Sequence, residues 1–145
     1  MTSDFPLALH ILGFLTASEG TPITSEILAQ TYGTSPVVVR RVLIKLKESS
    51  LVASQRGTGG GSVLGKDPAQ ISLREVYESV HKSSVILPRS PGDNGPVSEV
   101  ISRYVNQLFT DAEEALLEAL ENTSVVDLDR EVRDEICAFL FRKEK

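Results

Sequence analysis

Between residues 24 and 64 glycine cuts the chain in two places, and the cuts limit what it can fold into. Gly33 separates two short patterns of helical period. The stretch Arg56-Gly57-Thr58-Gly59-Gly60-Gly61-Ser62, four of its seven residues glycine, separates two short runs of strand character, residues 51–55 and 62–64. Glycine adopts positive φ at little cost, so each cut reads as a tight turn. Thr24 starts the first helix, residues 25–32, with Ile27, Leu28 and Tyr32 inward and Gly33 as the stop. Ser35-Pro36 starts the second: a hydroxyl cap followed by proline at the first helical position. It runs to about Lys47, with Val39, Val42, Leu43 and Leu46 on one face. Arg40, Arg41, Lys45 and Lys47 cover the rest of its surface. A short helix, a glycine turn and a second helix with a basic surface form a helix-turn-helix. The hairpin behind it makes the unit a winged helix, with Ile23 placed to add a third short strand.

The remaining segments read as helices around that unit, so the expected fold is mainly α with a small β-hairpin. Residues 5–17 are apolar almost throughout, with Asp4 placed to cap and Pro6 in the first turn. Residues 66–71 form a turn. Ser72-Leu73-Arg74-Glu75 then fits a capping box that opens a helix to about Val80. Residues 81–96 hold Pro88, Pro91, Gly92, Gly95 and Pro96 and read as a loop. Residues 97–120 carry one long apolar stripe, and Asp127 is placed to cap a last amphipathic helix. The expected organisation is a DNA-binding unit over residues 1–80, a loop over 81–96 and dimerisation helices over 97–145.

Charge is distributed unevenly. The chain of 145 residues has a net charge of -5, but residues 35–66 hold six cations against one acid, while residues 97–145 hold twelve acids against six bases. A basic segment beside an acidic one points to two jobs, one of them contact with a polyanion. A single cysteine, Cys137, excludes a disulfide framework within the chain and suits a reducing compartment. The N-terminal apolar run has no basic leader and is short for a bilayer span, so a core helix and a cytoplasmic, nucleoid-associated protein are expected, with no membrane contact.

Catalytic and metal chemistry find little to work with. The glycine-rich loop lacks the lysine and hydroxyl that a phosphate loop places after its last glycine, and no long helix follows it as dinucleotide binding requires. His10 lies in an apolar helix, His81 has no ligand-type neighbour at metal-binding spacing, and two histidines with one cysteine do not make a Cys/His site. Glu113, Glu114, Glu118 and Glu121 read as a solvated helix face. No enzyme, metal or cofactor is expected.

Nucleic-acid contact is the chemistry the pattern supports. The N-terminal end of the second helix, Thr34, Ser35, Pro36, Val37 and Val38, is the end that meets base edges in helix-turn-helix docking. Arg40, Arg41 and Lys45 are candidates for bases or phosphates, although each alone also fits a solvated charged face. Gln55, Arg56, Gly57, Thr58, Gly59 and Gly60 form a slim tip able to enter a minor groove or follow phosphates. The stripe Val97, Ile101, Tyr104, Val105, Leu108, Ala112 and Leu116 spans about 36 Å over its 24 residues, long for so small a domain to cover. Two-fold pairing with a second copy would bury it, and a helical cover from the same chain is the alternative.

With these residues placed, the chain resembles the Rrf-two (Rrf2) family of bacterial winged-helix regulators. The resemblance is carried by Leu7-Ala8-Leu9, by TSPVVVRRVLIKLKESSLVASQRGTGGGSVLGKD over residues 34–67 and by Ile71-Ser72-Leu73-Arg74-Glu75-Val76. It covers about the first 80 residues closely and implies a sequence-specific homodimer on double-stranded DNA, usually a repressor. It also implies recognition contacts at Ser35, Val37, Val38, Arg40 and Arg41 and wing contacts from Arg56 to Gly60. Cluster-binding members carry three cysteines in the loop before the dimerisation helix; SSVILPRSPGDNGP, residues 83–96, has none. The chain is thus similar to the clusterless branch, and no iron–sulfur cluster is expected. Arg40 stands where cluster-sensing members read bases with glutamate, so a different operator is expected. An effector, small molecule or protein, is expected at the loop 81–96 or beside the dimer helix. A DNA-free interaction adaptor and a thiol-sensing regulator acting through Cys137 are the competing readings.

Overall fold

The structure is a computed structural model that describes residues 4–81 and 95–142. The expected loop, residues 81–96, lies mostly outside the described residues. Helix α1 (Asp4–Ala17) is the central post. Leu7, Ala8, Ile11, Leu12 and Leu15 are fully buried, because helices pack around it on several sides.

Helices α2 (Ser25–Tyr32) and α3 (Pro36–Glu48) form the helix-turn-helix where the sequence placed it. Thr24 Oγ1 accepts the Ile27 amide at 3.3 Å and starts α2. Gly33 takes φ 85° and donates its amide to Ala29 O at 2.9 Å, which stops it. One part of the expectation for α2 fails. Ile27 and Tyr32 are each 37% exposed, while Leu28 is buried as expected, with Ala29 beside it. Ile27 and Leu28 sit about 100° apart around the axis, so an eight-residue helix packed on one side buries one of them and leaves the other at the margin. In α3, Val39, Val42, Leu43 and Leu46 are buried as the spacing requires.

Strands β1 (Val52–Gln55) and β2 (Gly61–Leu64) pair antiparallel, from Val52 opposite Leu64 to Gln55 opposite Gly61. Ile23 adds the expected third rung. Its amide donates to Ser62 O at 3.0 Å, and the Ser62 amide donates back to Ile23 O at 2.8 Å. This bridge fixes the wing to the start of the helix-turn-helix.

A 3₁₀ turn over Pro68–Gln70 leads to α4 (Leu73–Val80). Ser72 caps α4 by accepting the Glu75 amide at 3.1 Å, but the expected capping box is half made. Glu75 instead accepts a charge-assisted hydrogen bond from Lys66 at 2.6 Å. Helix α5 (Pro96–Glu121) follows the 97–120 pattern closely. Helix α6 (Val125–Phe141) corrects the sequence at its start: Ser124, not Asp127, is the cap. Asp127 is three positions into the helix and accepts the Ser124 amide at 2.9 Å, so the two residues close a reciprocal box.

Helix α6, grouped by sequence with the dimerisation segment, packs on α1. Ile136 is buried there beside Gly13, where an added Cβ would stand in ordinary contact, 3.5 Å from the Ile136 Cδ1 methyl. Arg133 ties α6 to the turn after α1 through Glu19 and pairs with Asp129 on its own helix, each at 2.8 Å, and these two acids raise its already high pKa. A short bridge from Ser72 to Ser124 fastens the other end. No helix among the described residues is long and apolar enough to cross a membrane.

Candidate nucleic-acid interface

The surface of α3 divides into two strips with different partners. Val37, Arg40, Ile44 and Lys47 follow one another at intervals of three and four and face outward. Val37 is 71% exposed and Ile44 56%, large values for branched apolar side chains. Arg40 Nη2 donates to Glu26 Oε1 of α2 at 2.7 Å, and both side chains are more than half exposed. Water screens a pair this exposed, so a base edge or phosphate can replace the carboxylate. Pro36 and Val38 are half-buried and support the helix start more than they face outward. Ser35 Oγ caps α3 by accepting the Val38 amide at 3.5 Å, and the Thr34 amide donates to Ala29 O at 3.0 Å.

Arg41 and Lys45 turn to the second strip. Both donate to Asp4, Arg41 to Oδ1 at 2.7 Å and Lys45 to Oδ2 at 2.8 Å. Asp4 had been expected to cap α1; it lies in the first turn of that helix, nearly buried, because two cations reach it there. Burial alone would raise its carboxyl, but the hydrogen bonds from Lys45 and Arg41 outweigh that and hold it below the usual value. A depressed carboxylate stabilises the fold above its unfolded pKa, and that stability is lost as pH falls through the folded value. Asp4→Asn is therefore expected to lower stability at neutral pH. The difference from the unaltered protein should shrink as the pH falls below about 3.8. Urea titrations at pH 7 and pH 3 check this, and a difference that does not change between them contradicts it.

The wing tip carries Gln55, Arg56, Gly57, Thr58 and Gly59 in the open, with Gly60 half-buried. Gly57 has φ 97°, and the Gly60 amide returns to Gly57 O at 3.0 Å to close the turn. At Gly61 a Cβ would lie 2.6 Å from Ile23 O, so the bridge to Ile23 excludes any side chain. Much of the glycine content thus serves the hairpin itself. Among the described residues Arg56 has no ion-pair partner, unlike Arg40, Arg41 and Lys45.

A groove of about 340 Å³ joins the two halves, walled by Thr24, Ser25 and Glu26 at the start of α2, Arg40 and Lys47 on α3, and Gln55 on β1. It brings Arg40 and Gln55 together and leaves Arg41 and Lys45 on the Asp4 side. Sequence reasoning missed Glu26 and Asp4 as partners of the basic helix. It also left Thr24, Ser25 and Lys47 out of the site; for Lys47 the seven-residue interval from Arg40 was the available signal.

Helix α5 buries none of its side chains. Val97, Ile101, Tyr104 and Leu108 are 51–73% exposed, Val105 and Leu116 half-buried, and Ala112 exposed. Val100 and Phe109 widen the apolar face beyond the stripe read from sequence, at 58% and 39% exposure.

Comparison with known proteins gives this geometry a family. The model of a family described as iron-dependent transcriptional regulators, Rrf2, matches residues 1–131. The chain belongs to the Rrf2 family. YwnA of Bacillus subtilis, provisionally named an HTH-type transcriptional regulator, is 35% identical over 130 residues, which cover 88% of this chain and 96% of YwnA. The HTH-type transcriptional regulator IscR of Cronobacter sakazakii is 37% identical over 78 residues, 54% of this chain and 48% of that protein. Among solved structures, CymR, the global cysteine regulator of Bacillus subtilis, shares the fold, with a TM-score of 0.66, 23% identity and coverage of 90% of this chain and 96% of that one. The Rrf2 membership and the winged-helix fold agree with the resemblance read from sequence. The family is one of transcriptional regulators, not enzymes.

The family description names iron, and among the described residues no group of side chains has the make-up of such a site. Cys137, the single cysteine, sits half-buried on α6. His10 Nε2 is engaged with Thr31 Oγ1 at 2.8 Å. Among the described residues no three histidine, cysteine, aspartate or glutamate side chains cluster as metal ligands would.

Proposed function

We propose that this Rrf2 protein is a sequence-specific DNA-binding regulator that acts as a homodimer, represses by occupying a palindromic operator, and does so without an iron–sulfur cluster. The observation that carries the reading is the outward strip Val37–Arg40–Ile44–Lys47 together with an exposed Arg56 on the hairpin, which has no ion-pair partner among the described residues. A recognition helix in the major groove would set Val37 against a thymine methyl and Arg40 against a guanine edge. The wing would reach the adjacent backbone or minor groove with Arg56, and Thr24, Ser25 and Lys47 would meet phosphates between them. The open face of α5 supports pairing with a second copy, which would present two such helices to two half-sites. Occupation of a promoter by that dimer makes repression the expected mode, in the cytoplasm on nucleoid DNA. A loop without cysteine and a chain with one thiol support the clusterless reading.

Arg56→Ala tests the wing. It is expected to weaken operator binding about tenfold and to flatten the salt dependence by about one counterion, since one phosphate-neutralising charge is removed. Fold and oligomeric state should persist because the side chain is exposed. Mobility-shift titrations at two salt concentrations measure both effects, and unchanged affinity at both removes the wing from the interface.

A further inference from the structure

A cavity of about 400 Å³ lies between α1, α2 and α6 and shares no lining residue with the groove beside the basic strip. Four rings line part of its wall, with Leu9, Leu128, Val132 and Ile136 completing the apolar surface. His10 lies tilted against Phe14 at 4.7 Å and meets Tyr32 edge-on at 5.1 Å, and Phe14 meets Phe139 edge-on at 6.1 Å. Tyr32 and Phe139 stay 37% and 40% exposed, so the rings present unused faces to the opening. Burial lowers the His10 pKa, which keeps the ring uncharged near neutral pH, and its Nε2 is occupied by Thr31. The one charged residue on the wall is Glu135 of α6, which is exposed and has no ion-pair partner among the described residues.

We propose that this cavity is a binding site for a small lipophilic aromatic cation. The volume suits a small organic molecule. Ring faces carry negative quadrupole charge and attract a cation, more strongly where water is excluded. An unpaired carboxylate at the mouth adds attraction of the same sign and repels anions. Neutral aromatic molecules would satisfy the walls but leave Glu135 unmatched. The site lies apart from the recognition strip, so the inference stands without the DNA-binding reading. Since α2 supplies Thr31 and Tyr32, an occupant would also bridge α6 to the helix that precedes the recognition turn.

The test titrates the full chain calorimetrically with tetraphenylphosphonium and with tetraphenylborate, ions of the same shape and opposite charge. One cation per chain is expected to bind, at least about tenfold tighter than the anion. Glu135→Gln should weaken the cation about fivefold and narrow the preference, and Phe139→Ala should weaken it about tenfold. Both side chains are exposed, so both variants should melt as cooperatively as the unaltered protein. Glu131→Gln, an exposed acid one turn away on α6 and off the cavity wall, controls for the net charge of -5 and should change nothing. Absence of cation binding, equal affinity for the two ions, or equal effects of Glu131→Gln and Glu135→Gln would overturn the proposal. A DNA titration of the same preparation reads the regulator assignment separately.

Discussion

Ile101→Asp together with Leu108→Asp is expected to leave a folded monomer that binds operator roughly 100- to 10,000-fold more weakly. The two side chains lie seven residues apart on α5, at 58% and 51% exposure, and no described side chain of the chain itself buries them. Aspartate there costs the single chain little. Across a two-fold axis the same substitutions would bring four carboxylates into an apolar interface, where unpaired charge is strongly unfavourable. The affinity loss follows from linkage. A dimer engages the second half-site intramolecularly, and a monomer must bind each half-site on its own. Sedimentation equilibrium and a mobility-shift titration measure the two consequences. Undisturbed far-ultraviolet circular dichroism would show that the fold survives. A variant that remains dimeric, or a monomer with full operator affinity, contradicts the assignment of α5.

Gly61→Val is expected to be the most damaging single change in the wing, costing about 3 kcal/mol of stability and abolishing the wing's contribution to binding. The reason is contact, not φ. A Cβ at Gly61 would stand 2.6 Å from Ile23 O and 2.7 Å from its carbon, both backbone atoms of the bridge. Relief requires the bridge to open, which removes the Ile23–Ser62 pair of hydrogen bonds and frees the hairpin from the start of α2. Gly57→Ala is the instructive contrast. Its φ of 97° disfavours a side chain, but nothing lies within 4 Å, so its cost should be nearer about 1 kcal/mol. Urea denaturation of the two variants measures the difference. A Gly61→Val loss below about 0.5 kcal/mol would mean that the Ile23 bridge does not hold the wing.

Local signals carried the sequence reading far. Hydroxyl caps at Thr24, Ser35 and Ser72, the left-handed stop at Gly33 and the buried face of α3 are all settled within a few residues, and period and capping chemistry suffice to see them. Apart from the cap of α6, where Ser124 and Asp127 lie three residues apart, the misjudged points depend on residues distant in sequence. Ion pairs join Arg40 to Glu26 across 14 positions and Arg41 to Asp4 across 37, and no periodicity connects those residues. Asp4 looked like a cap because its two cations were out of view, and Glu75 looked like half of a box because Lys66 was. Ile27 and Tyr32 were placed inward because an apolar residue in a short helix does not reveal which side its neighbours take. The tight turn read from the glycines is present at Gly57, while the close bridge that Gly61 makes to Ile23, 38 positions away, has no local signal. The aromatic cavity was hidden for the same reason: its walls come from helices more than a hundred residues apart in the chain.

The most direct test of the account is selection of bound duplexes from a random library by the unaltered protein at physiological salt. The account predicts enrichment of one inverted repeat, with half-site centres about one helical turn apart, and changed base preference within each half-site when Arg40→Ala is selected in parallel. Recovery of unenriched sequence, with binding that responds to salt alone, would contradict it.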